Sequence, residues 1–293
     1  MSETTGKEPT INFAIGPSCP VRCEGCYNHF GDTFSKNNLI TTGGVLDFAA
    51  KTRELGVTQA TLSGGDPLFH PDILDIARGI DELGYRTKLD TVGTSFLEDS
   101  RVVYKGRGIA QKIGIDDIKQ HIDFVSIPLD GASQETVTTF RKGRSDLFQE
   151  TLSVAKLLRN SGVKFGINTV ASAANLDELP QMQEIAEQSG ANEWQIFEYD
   201  PSGPNLSAQK SLLRLEPGEF LGATESLESR APQLKIDAKS LEDRSNAYFL
   251  IDDSGLAWKP SGEGIRTVYG HIIREQEVVL TALSNHLGTL RGR

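Results

Sequence analysis

Three cysteines, Cys19, Cys23 and Cys26, are all that the 293-residue chain contains, and they fall within eight consecutive positions. Thiols this close in sequence cannot staple distant loops, so a disulfide framework is excluded and a buried core must carry the fold. The same closeness suits metal, because Cys19-Pro-Val-Arg-Cys23-Glu-Gly-Cys26 puts three soft ligands on one short loop. A [4Fe-4S] cubane has four irons, so three thiolates leave one iron open to a chelating small molecule. A structural zinc site wants four ligands and would have to recruit His29.

Around the loop, β-type runs at 11–15, 58–62, 85–89, 124–127, 164–170 and 193–197 alternate with segments of helical periodicity at 44–55, 73–83, 147–159 and 176–188. Gly56, Gly84, Gly162 and Gly190 each close a helical run before a strand, where a left-handed residue ends a helix. The pattern predicts an α/β fold, a partial (β/α)6 TIM-like barrel over 1–205 with a C-terminal extension over 206–293 covering its mouth. The extension should contain an amphipathic segment at 216–229, a hairpin of 248–251 with 256–258, and a helix over 275–287. The stretch 92–115 is too long and glycine-rich for a simple βα connection and reads as a substrate-side insertion. The cysteine loop follows the first strand directly, which places it on the C-terminal rim where barrel sites collect.

Charge narrows the partners. A formal net charge of −10 opposes a polyphosphate backbone, so nucleic acid is not expected. No apolar run approaches the roughly 20 residues of a membrane span, and the polar N-terminus lacks signal-peptide architecture. A cytoplasmic, membrane-free protein is expected.

Cys19, Cys23 and Cys26 after strand one, followed by Ser63-Gly64-Gly65-Asp66-Pro67 after strand two, resemble the radical S-adenosylmethionine (SAM) superfamily over about residues 10–200. The resemblance implies that the cysteines bind a [4Fe-4S] cluster and that SAM chelates its free iron. The reduced cluster then cleaves SAM, and the resulting 5′-deoxyadenosyl radical takes hydrogen from substrate. It further implies that Ser63, Gly64, Gly65 and Asp66 meet the methionyl amine, with Asp66 standing where relatives carry Glu. Ser126, Asn168 and Phe197 fall where relatives contact ribose and adenine, and Arg141 or Arg144 where some reach the methionine carboxylate. Many relatives place an aromatic residue just before the third cysteine; here it is Gly25, and Tyr27 is the candidate substitute against adenine.

No cysteine remains for a second cluster, and 18 residues before Cys19 cannot house a cobalamin domain. The segment 124–258 looks similar to the viperin and molybdopterin-precursor branch and to antibiotic nucleoside and sugar tailoring enzymes such as cytosylglucuronate decarboxylase. Gly166 stands where viperin-like enzymes carry a triphosphate-binding lysine. The resemblance therefore implies a lyase or oxidoreductase tailoring a small polar nucleoside or sugar-like substrate, fed by a flavodoxin- or ferredoxin-type electron donor. Candidates to line the substrate pocket are Asp90, Glu198, Tyr199, Asn205, Lys259 and Arg266. A Lys259/Arg266 pair would hold an anion, while Glu198 or Tyr199 would exchange protons with a substrate radical. The alternatives are a glycyl-radical activase acting on a partner protein and a non-catalytic zinc-binding module.

Overall fold

The computed structural model describes residues 8–26, 39–201, 210–229, 231–245, 247–261 and 266–291. Its main sheet has ten strands: β1 Thr10–Ala14, β2 Gln59–Ser63, β3 Arg86–Asp90, β4 Phe124–Pro128, β5 Phe165–Ala171, β6 Glu193–Glu198, β7 Lys235–Lys239, β8 Leu250–Ile251, β9 Leu256–Pro260 and β10 Arg266–His271. They lie in the order β7-β6-β5-β4-β3-β2-β1-β8-β9-β10. Strands β1 to β7 are parallel to their neighbours, β8 joins β1 in parallel, and β9 and β10 follow antiparallel.

All six expected strands form, and the hairpin forms as β8 with β9. The four helix-ending glycines have φ between 71° and 88°. Two strands exceed the expectation, β7 beside β6 and β10 beside β9. The boundary expected at 205 falls outside the described residues, but strands from beyond it occupy both ends of the one sheet.

Helices α1 Thr42–Glu54, α2 Ile73–Glu82, α3 Gln134–Phe140, α4 Leu147–Asn160, α5 Leu179–Ser189, α6 Glu219–Glu225 and α7 Gln276–Arg291 connect or cover the strands. Their local signals are legible. Thr41 caps α1 by accepting the Gly44 NH, Ser133 caps α3 by accepting the Thr136 NH, and α2 buries Ile73, Ile76, Ala77 and Ile80 at helical spacing.

Strand side chains alternate between faces. One face, with Ile11, Phe13, Leu62, Leu89, Ile127 and Ile167, joins the helices in the hydrophobic core. The other carries Asn12, Thr61, Lys88, Asp90, Ser126 and Asn168, aligned strand to strand by register. The sheet curls around this polar face. Tyr248, two residues before β8, lies in the electrostatic field of Asp237 on β7. Seven strand spacings separate β8 from β7 in sheet order, about 34 Å if the sheet were flat. Only a curled sheet brings its ends to one tyrosine.

Candidate active site

The loops at the C-terminal ends of β1 to β6 meet on the cysteine segment. Gly64 and Gly65 lie against the chain just before Cys19: Gly65 donates its NH to the Gly16 carbonyl at 2.7 Å, and Asp66 to the Ser18 carbonyl at 2.8 Å. A side chain at Gly65 would collide with the Pro17 and Ser18 carbonyl oxygens. The glycines thus admit the cysteine loop's own backbone. The carboxylate of Asp66 is buried and accepts from the Thr91 hydroxyl at 2.7 Å and from the NH groups of Leu68 and Val92. It ties the end of β2 to the end of β3. The Ser63 hydroxyl is 3.4 Å from the Phe13 carbonyl.

The expected insertion holds the first cysteine. Cys19 donates its NH to the Tyr104 carbonyl at 3.1 Å, and its own carbonyl accepts from Val103 and Tyr104 at 2.9 and 3.0 Å. The second cysteine is held from the other side. Arg22–Cys23 pairs antiparallel with Arg141–Lys142, Glu24 receives Lys142 Nζ at 2.9 Å, and Arg141 donates to Cys23 Sγ at 3.1 Å. Arg141 also forms an ion pair with Asp130, whose second oxygen accepts the Val170 NH at 2.7 Å. Arg144 pairs instead with Glu150 and Glu98.

Burial pushes the thiol of Cys23 up to about 12 against the pull of Arg141, and burial with Cys23 and Asp66 nearby pushes Cys19 up as well. Cys23 and Cys26 raise Cys19, and Cys26 raises Cys23, so three thiolates share this loop only beside a strongly cationic centre. Iron supplies such a centre, and a thiolate trio on one braced loop fits a cubane with one open corner. Among the described residues, no three His, Cys, Asp or Glu side chains are drawn together around a single ion.

Gly25 has φ +72°, and a Cβ there would stand 3.1 Å from the ring and 3.2 Å from the hydroxyl of Tyr199. Tyr199, carried in from the end of β6, therefore fills the place next to the third cysteine that Gly25 leaves bare. Its ring packs edge-on against Phe140, and its hydroxyl is buried without a hydrogen-bond partner. Burial, then Glu24 and Asp200, raises the phenol to about 12, so it is a neutral donor. Tyr27 and Asn205 lie outside the described residues.

The substrate candidates separate. Arg266 lies 4.4 Å over the Trp258 ring and feels Asp252, Asp200 and Cys26. Lys259, one residue from Trp258, takes the opposite face of β9 and acts on His286 of α7. The expected Lys259/Arg266 anion clamp is not formed, because adjacent strand positions point to opposite faces. Glu198 accepts the Leu241 NH at 2.8 Å, so its carboxylate serves a helix start rather than the cysteine loop. Phe197 lies on the inner face between Lys239 and Arg244, 5.4 and 5.9 Å from its centroid. Asp90 stands 4.0 Å from Lys88. Among the described residues, Ser126 Oγ, Asn168 Oδ1 and Asp90 Oδ1 are buried without a hydrogen-bond partner.

Sequence reasoning missed Asp130, Tyr104, the Glu24–Lys142 pair and Tyr248. Asp130 announces itself only as an acid just past a strand end; the others are joined across long sequence separations and leave no local signal.

The model of the Radical SAM superfamily matches residues 13–184. The chain is 29% identical over 203 residues to an AdoMet-dependent heme synthase of Methanosarcina barkeri, covering 69% of this chain and 54% of that protein. It is 22% identical over 256 residues to an S-adenosylmethionine-dependent nucleotide dehydratase of Flammeovirga pacifica, covering 84% of this chain and 81% of that protein. Streptococcus suis SuiB bound to S-adenosylmethionine shares the fold, with a TM-score of 0.64 at 12% identity over 86% of this chain and 60% of SuiB. The chain thus spans about half of the heme synthase and three fifths of SuiB. Among the described residues, no helix is long and apolar enough to cross a membrane.

Proposed function

Since the chain belongs to the radical SAM superfamily, whose enzymes use a [4Fe-4S] cluster and SAM, it is a radical SAM enzyme, and we propose that it acts on a small polar nucleoside, nucleotide or sugar derivative inside its barrel. Cys19, Cys23 and Cys26 would hold the cluster. When bound, cluster and SAM supply one electron and a 5′-deoxyadenosyl radical able to remove hydrogen from an unactivated carbon.

The observation that carries the reading is the polar inner face, whose orphaned atoms suit SAM and a polar substrate side by side. A buried polar atom without a partner costs roughly 1–3 kcal/mol. Ser126 Oγ, Asn168 Oδ1 and Asp90 Oδ1 lie on three consecutive strands of that face, ready for a ligand rich in hydroxyls or amides. Ser126 and Asn168 are assigned to the ribose of SAM and Asp90 to substrate. Phe197 and Trp258 offer flat rings, each with a cation beside it, which suits a planar base carrying an anionic or polar group. Arg141 balances charge at Cys23, and Tyr199 packs over Gly25 beside the third cysteine. The likeness to a nucleotide dehydratase over most of both chains supports a nucleotide over a peptide. The net reaction is assigned to the lyase or oxidoreductase class, as decarboxylation, dehydration, epimerisation or oxidation, in a natural-product tailoring step.

Anaerobic reconstitution tests this. The protein should bind about four irons per chain and, with dithionite, release 5′-deoxyadenosine from SAM; Cys23→Ala should lose both. Deuterium from labelled nucleotides or sugars should appear in 5′-deoxyadenosine. Transfer seen only with a partner protein would favour an activase, and colourless, zinc-loaded protein would overturn the reading.

A further inference from the structure

Residues 100–112 carry four cations, Arg101, Lys105, Arg107 and Lys112, and no acid, in a chain with 40 acidic and 30 basic residues. This run is the strap that grips Cys19. A two-stranded ladder, Ser100–Arg101 with Ile109–Ala110, projects it from the body. The NH groups of Val103 and Tyr104 end on the Cys19 carbonyl.

Three of its four cations face outward, while Lys105 is half-buried and lies in the field of Asp253. Arg101, Arg107 and Lys112 are exposed, and none of the four cations forms an ion pair among the described residues. The bordering acids are already engaged: Glu98 and Glu150 with Arg144, and Asp99 with the Lys112 backbone NH at 2.8 Å. Two aliphatic side chains stand among the cations, Ile109 at 68% exposure and Val103 at 36%. Arg22, also exposed, continues the charge into the cysteine loop itself. Solvated cations alone are ordinary surface. Cations ringing exposed aliphatics, against the net charge of the chain, make a surface suited to brief, charge-steered docking of an acidic protein.

We propose that the strap over 100–112 is the docking surface for an acidic one-electron carrier of the flavodoxin or ferredoxin kind, which delivers its electron through Cys19. The proposal rests on the function proposed above, since that chemistry needs an electron at the cluster. The strap is an exposed segment hydrogen-bonded to the backbone of a cysteine, so a carrier seated there faces a bonded route inward through Cys19. In the transfer the carrier is oxidised by one electron and the cluster reduced by one, and no atom changes hands. A polyphosphate is the competing occupant of a cationic surface, opposed here by the net charge of −10.

The test uses the reconstituted full chain and its R101E/R107E variant, with reduced flavodoxin or dithionite. Bleaching of the cluster's visible absorbance by stopped flow is the primary measurement, and 5′-deoxyadenosine formation the second. At low salt and limiting flavodoxin, the variant should bleach at least about tenfold more slowly than the parent. High salt should bring the parent down toward the variant. With dithionite the two should agree within about twofold, since a small reductant needs no docking. Ile109→Ser should slow the flavodoxin reaction at both salt concentrations. Equal flavodoxin rates would overturn the proposal, and so would equal losses with both reductants, which would make the side chains part of cluster assembly. Strong binding of a duplex oligonucleotide that R101E/R107E abolishes, with flavodoxin rates unchanged, would reassign the surface. If dithionite bleaches the cluster but yields no 5′-deoxyadenosine, the functional reading fails while the docking result stands.

Discussion

Arg141 answers to two partners that want different things from it. Its guanidinium donates to Cys23 Sγ at 3.1 Å and pairs with Asp130, whose side chain has no exposed surface. Removing it strands a buried carboxylate, so Arg141→Ala should destabilise the fold by about 3–5 kcal/mol, measured by urea unfolding of the apo chain. Asp130→Asn can still accept the Val170 NH, and adding it to Arg141→Ala should recover part of the loss. Gly65→Ala should prevent a stable cysteine loop and abolish iron uptake, whereas Gly43→Ala, with nothing within 4 Å of the new methyl, should be neutral or stabilise α1 by up to about 1 kcal/mol. The cysteine trio was legible because its spacing carries it, whereas Arg141, picked out by resemblance for the methionine carboxylate, lies on Cys23 and Asp130, partners that no local signal names. Lys259 was not legible, because choosing it required knowing which way one strand residue points. Tyr199 was identified as functional, but its seat on Gly25 depends on the end of β6 meeting the loop after β1.

At the scale of elements, six strands and their glycine-ended helices followed from period and punctuation, while β7 and β10 did not. In Lys235-Ile-Asp-Ala-Lys239 the charged positions face the barrel interior, so the strand imitates an exposed loop. Its alternation was the available signal. The turn between β8 and β9 yields a pH prediction. Asp252 builds it, accepting the NH groups of Ser254 and Leu256 at 2.9 Å, and burial with Asp252 alongside lifts the Asp253 carboxyl to about 6. A raised carboxyl means that the folded chain holds its proton more tightly than the unfolded chain does. Its contribution is complete below the ordinary value of 3.8 and is lost as pH rises through about 6. Asp253→Asn should therefore raise the melting temperature at pH near 7.5, with a gain that shrinks toward pH 5, as followed by differential scanning fluorimetry.

At the scale of the whole molecule, sequential neighbours make most of the sheet, and one late contact carries it past β1. Asn12 and Phe13 of β1 align with Leu250 and Ile251 of β8, and the Asn12 NH donates to the Phe249 carbonyl at 3.1 Å. A chain ending after 239 would leave that edge of β1 unpaired, and it should elute as oligomers or pellet when the full chain is a defined species on size exclusion. That partial barrel was legible from the repeating βα pattern, but its extension beyond β1 was not, since two residues of β8 carry no signal for a partner at the opposite end of the chain. During synthesis this matters for order of events. The cysteine loop and its clasp from β2 emerge early, while about 185 residues must still leave the ribosome before β1 gains its second neighbour. A delivery scaffold carrying preassembled iron and sulfide would thus meet the nascent loop while one side of its supporting strand is still open.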